Sequence, residues 1–211
     1  MKRWYAVILF VLLLMVLAGC PLRYGSKEYG FAREVAEQER QVRMQVVQTA
    51  QGYLGYKESD GSHKKIIDRY NSQEVLPVNY AVQYTDKWCA TFGSVVALDC
   101  QLTDIIPVEC GCQRQIELFQ ALGCWEEDDS YIPLPGDYIF YDSDHKGDGD
   151  CTDWADHVGI VIGVCEDTIQ VIEGNYNKAV GYRYIPIDDM SIRGFGVPNY
   201  EMDNLSYRYW L

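Results

Sequence analysis

A chain of 211 residues with 18 lysines and arginines against 31 aspartates and glutamates carries a formal charge of −13, and 48% of it is hydrophobic. That length suits one compact domain with a short appendage, and the apolar fraction excludes a wholly disordered polymer. The acidic balance excludes a protein that grips nucleic acid by its phosphates, which needs lysine and arginine massed on one face, so no nucleic-acid partner is expected.

Lys2 and Arg3 precede an apolar run from Trp4 to Leu17, and Gly19, Cys20 and Pro21 follow it. A positive start and an apolar stretch shorter than the roughly 20 residues of a spanning helix read as an export signal or membrane anchor over residues 1–19. Leu17-Ala18-Gly19-Cys20 resembles the lipobox of bacterial lipoproteins. That resemblance implies lipid attachment at Cys20 and an extracytoplasmic protein held on the membrane by its N-terminus. An uncleaved helical anchor is the alternative, with the same consequence for location.

Residues 20–41 read as a tether, with Gly25, Ser26 and Gly30, followed by the start of a helix. Val35, Val42, Val46, Val47, Ala50 and Leu54 recur at three- and four-residue spacings, which predicts a helix over 31–54. Its first half, 32–43, is polar and is expected to project from the core. Ser59-Asp60-Gly61-Ser62 punctuates the chain before a short helix over 63–70. A small-residue apolar stretch over 88–98 suits a buried helix, and 113–122 suits an amphipathic one ending at Gly123. After Pro133-Leu134-Pro135-Gly136 the period falls to two, predicting strands over 138–141, 157–164, 168–173, 182–187 and 195–197. Helices followed by closely spaced strands predict an α+β fold, N-terminal helices packed on an antiparallel sheet, over residues 42–200, with a tail over 201–211.

In an exported protein thiols can pair. Setting Cys20 aside leaves Cys89, Cys100, Cys110, Cys112, Cys124, Cys151 and Cys165, an odd set. Local disulfides among Cys100, Cys110, Cys112 and Cys124 and buried free thiols are both open. Cys110-Gly111-Cys112 is weak evidence for a zinc site, and no metal is expected from it.

Three segments carry chemistry: Trp88-Cys89-Ala90-Thr91-Phe92, Asp156-His157-Val158-Gly159, and Val171-Ile172-Glu173-Gly174-Asn175. A cysteine opening a helix sits where free N–H groups and the helix dipole favour its thiolate. A thiolate attacking an amide needs a cation to hold it at rest and to protonate the departing amine. Histidine does both, and a carboxylate on its other nitrogen fixes the ring. His157 shares a face with Glu173 and Asn175 if the hairpin has an odd-length loop or a bulge. A three-residue loop pairing Cys165 with Ile169 would set His157 opposite Asn177.

These segments, with Glu58-Ser59-Asp60-Gly61-Ser62-His63-Lys64, Pro135-Gly136-Asp137-Tyr138-Ile139-Phe140 and Arg193-Gly194-Phe195-Gly196-Val197-Pro198, resemble the CHAP family of cysteine- and histidine-dependent amidohydrolases and peptidases over residues 46–200. The resemblance implies a papain-like fold and hydrolysis of amide bonds in bacterial peptidoglycan. It implies Cys89 as nucleophile, His157 as general base and acid, Glu173 as third member and Asn175 as a further orienter, without a cofactor. Both N-acetylmuramoyl-L-alanine amidase and peptide endopeptidase chemistry fit. The competing expectation is a non-catalytic wall-binding or scaffolding lipoprotein of the same fold.

Trp88, Trp154 and Tyr176 flank the three segments and are candidates for a substrate groove, with packing the competing role. His63 and His145 lie in polar stretches and are expected to be solvated. Asp142, Asp144, Asp148, Asp150, Asp153 and Asp156 form an acidic stretch before His157. It reads as a solvated loop: Lys146 occupies the third ligand position of a calcium-loop frame starting at Asp142, although glycine-spaced carboxylates leave calcium as the alternative.

Overall fold

The computed structural model describes residues 26–143, 151–152 and 154–201, with side chains from Glu34 onward. The expected export segment with Cys20, the loop residues Asp144, His145, Lys146, Asp148, Asp150 and Asp153, and the tail from Met202 lie outside the described residues. The chain divides into residues 1–37 and a compact unit 38–211, and the sheet and its packed core belong to the second unit.

The described residues form an α+β fold. Four helices, α1 (Ser26–Gln51), α2 (Lys64–Asn71), α3 (Cys89–Asp99) and α4 (Cys112–Ala121), precede strands β1 (Trp125–Glu126), β2 (Tyr138–Tyr141), β3 (His157–Cys165), β4 (Thr168–Tyr176), β5 (Ala179–Pro186) and β6 (Ile192–Gly196). The strands make one antiparallel sheet in the order β1-β6-β2-β3-β4-β5. Helix already runs at Ser26, where the glycines and Ser26 suggested a tether. Among the described residues no helix is long and apolar enough to cross a membrane.

The sheet separates two apolar clusters. On one side Tyr138, Phe140, Val158, Ile160 and Ile172 pack with Phe92, Val95 and Val96 of α3 and with Val46 and Ala50 of α1. On the other, Ile139, Tyr141, Val161, Val171, Ile185 and Phe195 form a smaller core. Helix α3 is apolar around its circumference, and residues 89–97 are all buried, as expected for a helix enclosed on every side. It lies so close to the sheet that a Cβ at Gly174 would come 2.3 Å from Phe92 Cβ, so only glycine fits there.

The polar half of α1 does not all project. Arg43 is buried, and its guanidinium donates to Asp137 Oδ1 at 2.7 Å and to the Pro135 carbonyl at 3.2 Å. Tyr200 lies under it at 4.6 Å and donates to the Gly136 carbonyl. The Pro135-Gly136-Asp137 segment is thus the knot that ties α1 to the head of β2.

The β3–β4 register differs from expectation. Cys165 pairs with Thr168 across the two-residue turn Glu166-Asp167, and Glu166 takes φ 53°. Ile162 is then left out of the ladder, so that Val161 faces Val171 and Ile160 faces Ile172. The bulge restores the parity that the short turn removes. His157 and Glu173 therefore share a face, and continuation of the register sets His157 level with Asn175 rather than Asn177.

Candidate active site

The site is built where the N-terminus of α3 meets the first residue of β3. Cys89 is the first helical residue, and no side chain caps the helix. Its thiol lies 4.0 Å from the Asp156 carbonyl, and the His157 ring next to that carbonyl acts on it electrostatically. His157 Nε2 is 3.0 Å from Glu173 Oε2, which leaves Nδ1 for the sulfur. Glu173 is wholly buried and the His157 side chain is 14% exposed, so water barely screens the pair.

Gly159 makes the His157–Glu173 contact possible. A Cβ there would lie 2.4 Å from Val171 Cγ1 and 2.7 Å from Glu173 Cγ. The missing side chain is the channel through which the glutamate lies along β3 toward the ring.

Two residues complete the site without a motif to announce them. Arg183 of β5, paired in register with Val171, brings its Nε to 2.9 and 3.0 Å from the two Glu173 oxygens. Its guanidinium is stacked between the rings of Tyr141 and Tyr176, at 4.8 and 4.9 Å. Cys112, the first residue of α4, places its sulfur 3.6 Å from that of Cys89. Only a signal for sheet pairing would have found Arg183, and Cys112 was visible only as half of a weak Cys-x-Cys pattern.

The charges follow from these contacts. The Cys89 thiol is held well below the ordinary thiol value by its hydrogen bond from Cys112, with the His157 ring and the Ala90 N–H acting the same way and burial opposing them. Cys112 moves well upward, because its proton is what the Cys89 sulfur accepts and burial disfavours a second charge. Burial alone would lower His157, but its interactions with Cys89 and Glu173 overcome that and raise it to about 9. Both shifts favour a thiolate–imidazolium pair, with the Glu173 side chain behind the ring. Such a pair supplies a nucleophile and a proton donor in one contact.

The other expected residues divide. Asn175 takes φ 57° at an interruption of the β4–β5 ladder, and among the described residues its side chain has no hydrogen-bond partner, while Arg183 braces the glutamate. Trp88 is corrected as a groove residue: it is fully buried, donates to Glu58 Oε1 at 3.3 Å and packs against His63. Trp154, at 75% exposed, is open to a ligand, and Tyr176 is half-buried over Arg183. His63 is not solvated: it is 4% exposed, with Nε2 on the Tyr84 carbonyl at 3.1 Å. Cys89, Cys100, Cys110, Cys112, Cys124 and Cys165 are free thiols, so the local disulfides left open above do not form among them. Among the described residues no group of acidic, histidine and cysteine side chains could hold a metal.

Neither a protein-family model nor a curated protein matches the chain. Among solved structures, the crystal structure of Ly7917 is similar at 16% identity and a TM-score of 0.35, over 52% of this chain and 53% of that one. This chain thus spans about half the length of Ly7917.

Proposed function

We propose that this protein is a cysteine amidohydrolase or peptidase of the CHAP type, with a papain-like arrangement, that cleaves an amide bond of bacterial peptidoglycan from an extracytoplasmic, lipid-anchored position. The observation that carries the reading is the buried Cys89–His157–Glu173 series, with the thiol at a helix N-terminus and the imidazole held between sulfur and carboxylate. Cys89 attacks the carbonyl carbon as a thiolate. The oxyanion of the tetrahedral intermediate is met by the Cys89 backbone N–H at the open start of α3. His157 passes its Nδ1 proton to the departing amine, leaving a thioester on Cys89. The neutral ring then takes a proton from water, whose oxygen attacks the thioester and releases the acid. Glu173 keeps the ring oriented and its cation stabilised throughout.

The substrate class rests on the sequence resemblance, and the bond itself, glycan-to-peptide or within the peptide, is decided by products. Purified cell wall incubated with the protein should release muropeptides whose new ends, read by mass spectrometry, identify the bond. Cys89→Ala and His157→Ala should each lower release by ~10³-fold or more while the circular dichroism spectrum is kept. Full activity in Cys89→Ala refutes Cys89 as the nucleophile, and no release by the wild type leaves a wall-binding lipoprotein.

A further inference from the structure

Amide hydrolysis through a thioester needs one sulfur, and this site holds two. Cys89 and Cys112 open two different helices, are 4% and 7% exposed, and present their sulfurs to each other at 3.6 Å. Disulfide sulfurs are about 2.05 Å apart, so closure asks for roughly 1.5 Å of approach between side chains that already face one another. Cys100, Cys110 and Cys124 differ, being turned to oxygen atoms of Thr49, Glu109 and Leu122.

We propose that Cys89 and Cys112 form a reversible thiol–disulfide couple in which a hydroperoxide oxidises Cys89 and Cys112 resolves it, switching off and protecting the nucleophile. The Cys89 thiolate attacks the O–O bond of the peroxide. A sulfur–oxygen bond forms, the O–O bond breaks, and the leaving oxygen takes the His157 proton, so that hydrogen peroxide yields Cys89 sulfenic acid and water. The Cys112 sulfur then displaces the sulfenic oxygen, which leaves as a second water with the Cys112 proton. Each sulfur has lost one electron and the peroxide has gained two.

The site is arranged for that second step. While Cys89 is an anion it holds the proton on Cys112, which therefore does not compete as a nucleophile. Conversion of Cys89 to a neutral sulfenic acid removes that charge and frees Cys112 to react only once it is needed. Without a neighbouring thiol, a sulfenic acid proceeds under further peroxide to sulfinic acid, which ordinary thiols do not reverse. The functional meaning of the switch rests on Cys89 being the nucleophile of the proposed hydrolase; the chemistry of the couple does not.

The test uses the full chain, hydrogen peroxide in small molar excess, and three readouts: non-reducing peptide mapping, alkylation of Cys89 by iodoacetamide, and muropeptide release. Wild type should yield a linked Cys89–Cys112 peptide, lose both alkylation and release, and regain nearly all of each after dithiothreitol. In Cys112→Ser, and in Cys112→Ala as a second variant, peptide mapping should find Cys89 carrying two added oxygens, and dithiothreitol should not restore its alkylation. Cys110→Ser and Cys124→Ser should respond as wild type does. Absence of the linked peptide from wild type overturns the couple whatever the variants do, as does full recovery in Cys112→Ser. A linked peptide in a protein that never released muropeptides supports the couple and overturns the hydrolase reading.

Discussion

Among the described residues two carboxylates are wholly buried, Asp137 and Glu173, and each is paired with an arginine. Asp137 accepts from Arg43 Nη1, the Tyr131 hydroxyl and the Leu134 N–H, all at 2.7 Å. None of these donors changes charge near neutrality, and the result is a fixed joint between α1 and the sheet. Glu173 has an arginine too, but its other partner is a histidine whose second nitrogen serves a thiol. Equal burial thus serves opposite ends. A carboxylate surrounded by permanent donors holds the fold, and one that shares its charge with a titrating ring sets the protonation of a site.

The difference is broken most severely at Glu173. Glu173→Gln keeps the size and an acceptor for the ring nitrogen but removes the charge that favours imidazolium. Muropeptide release should fall by roughly 10²–10⁴-fold with little change in melting temperature. Iodoacetamide labelling of Cys89 at mildly acidic pH should slow as well, because the thiolate loses its protonated partner. Wild-type rates in Glu173→Gln would mean that the glutamate is a second structural carboxylate like Asp137.

The converse change is Arg43→Met, which preserves much of the side-chain volume and leaves Asp137 buried with no counter-charge. Breaking a buried pair on one side costs about 3–5 kcal/mol, read as the change in unfolding free energy in urea. The surviving folded fraction should label at Cys89 at the wild-type rate, since Arg43 touches nothing in the site. A stability loss within about 0.5 kcal/mol would show that the Tyr131 and Leu134 donors suffice alone.

Much of this contrast is visible in the sequence, for identifiable reasons. Alternation along β3 and β4 sets His157 and Glu173 on one face provided that an odd-length loop or a bulge supplies the parity, and the structure supplies it by the bulge. The register itself escapes, because a two-residue turn with φ 53° at its first position reads most clearly when glycine stands there, and here it is Glu166. The compensating bulge at Ile162 leaves only the neighbouring Gly163 as a hint. Arg183 and Cys112 are hidden for another reason: each reaches the site through tertiary pairing, across β4–β5 and from a separate helix, which no local pattern encodes. His63 is misread because a polar neighbourhood conceals the Trp88 and Tyr84 rings packed against it. Strand β1, two residues long, offers no periodicity to detect.

A smaller effect probes the space between the two strands. Gly159→Ala introduces a methyl into contacts of 2.4 and 2.7 Å with Val171 and Glu173. Overpacking of this kind costs about 1–3 kcal/mol. The glutamate is the softer neighbour and should yield first, so activity should fall more than stability. A variant that loses stability with full activity per folded molecule would show that the backbone, rather than Glu173, gives way.

The mildest expected change lies at Arg183, where the two carboxylates are most alike. If Arg183 does for Glu173 what Arg43 does for Asp137, Arg183→Met should cost stability; if it positions the glutamate for the ring, the pH profile should change. With His157 raised to about 9, hydrolysis should fall on the alkaline side near pH 9, as the ring loses the proton meant for the amine. The acid limb belongs to Cys89 and lies well below the ordinary thiol range. Alkylation, which needs only the thiolate, should show the acid limb alone. Removing Arg183 takes a cation from beside Glu173 and leaves the carboxylate bound to His157 as its main ionic partner, which strengthens the pull on the ring proton while loosening the glutamate's position. The alkaline limb should therefore stay at or above its wild-type pH while the rate falls by roughly 10-fold, a barrier increase of about 1.4 kcal/mol. An alkaline limb displaced downward would mean that the glutamate had swung away from the histidine, making Arg183 the clamp on which the whole series depends.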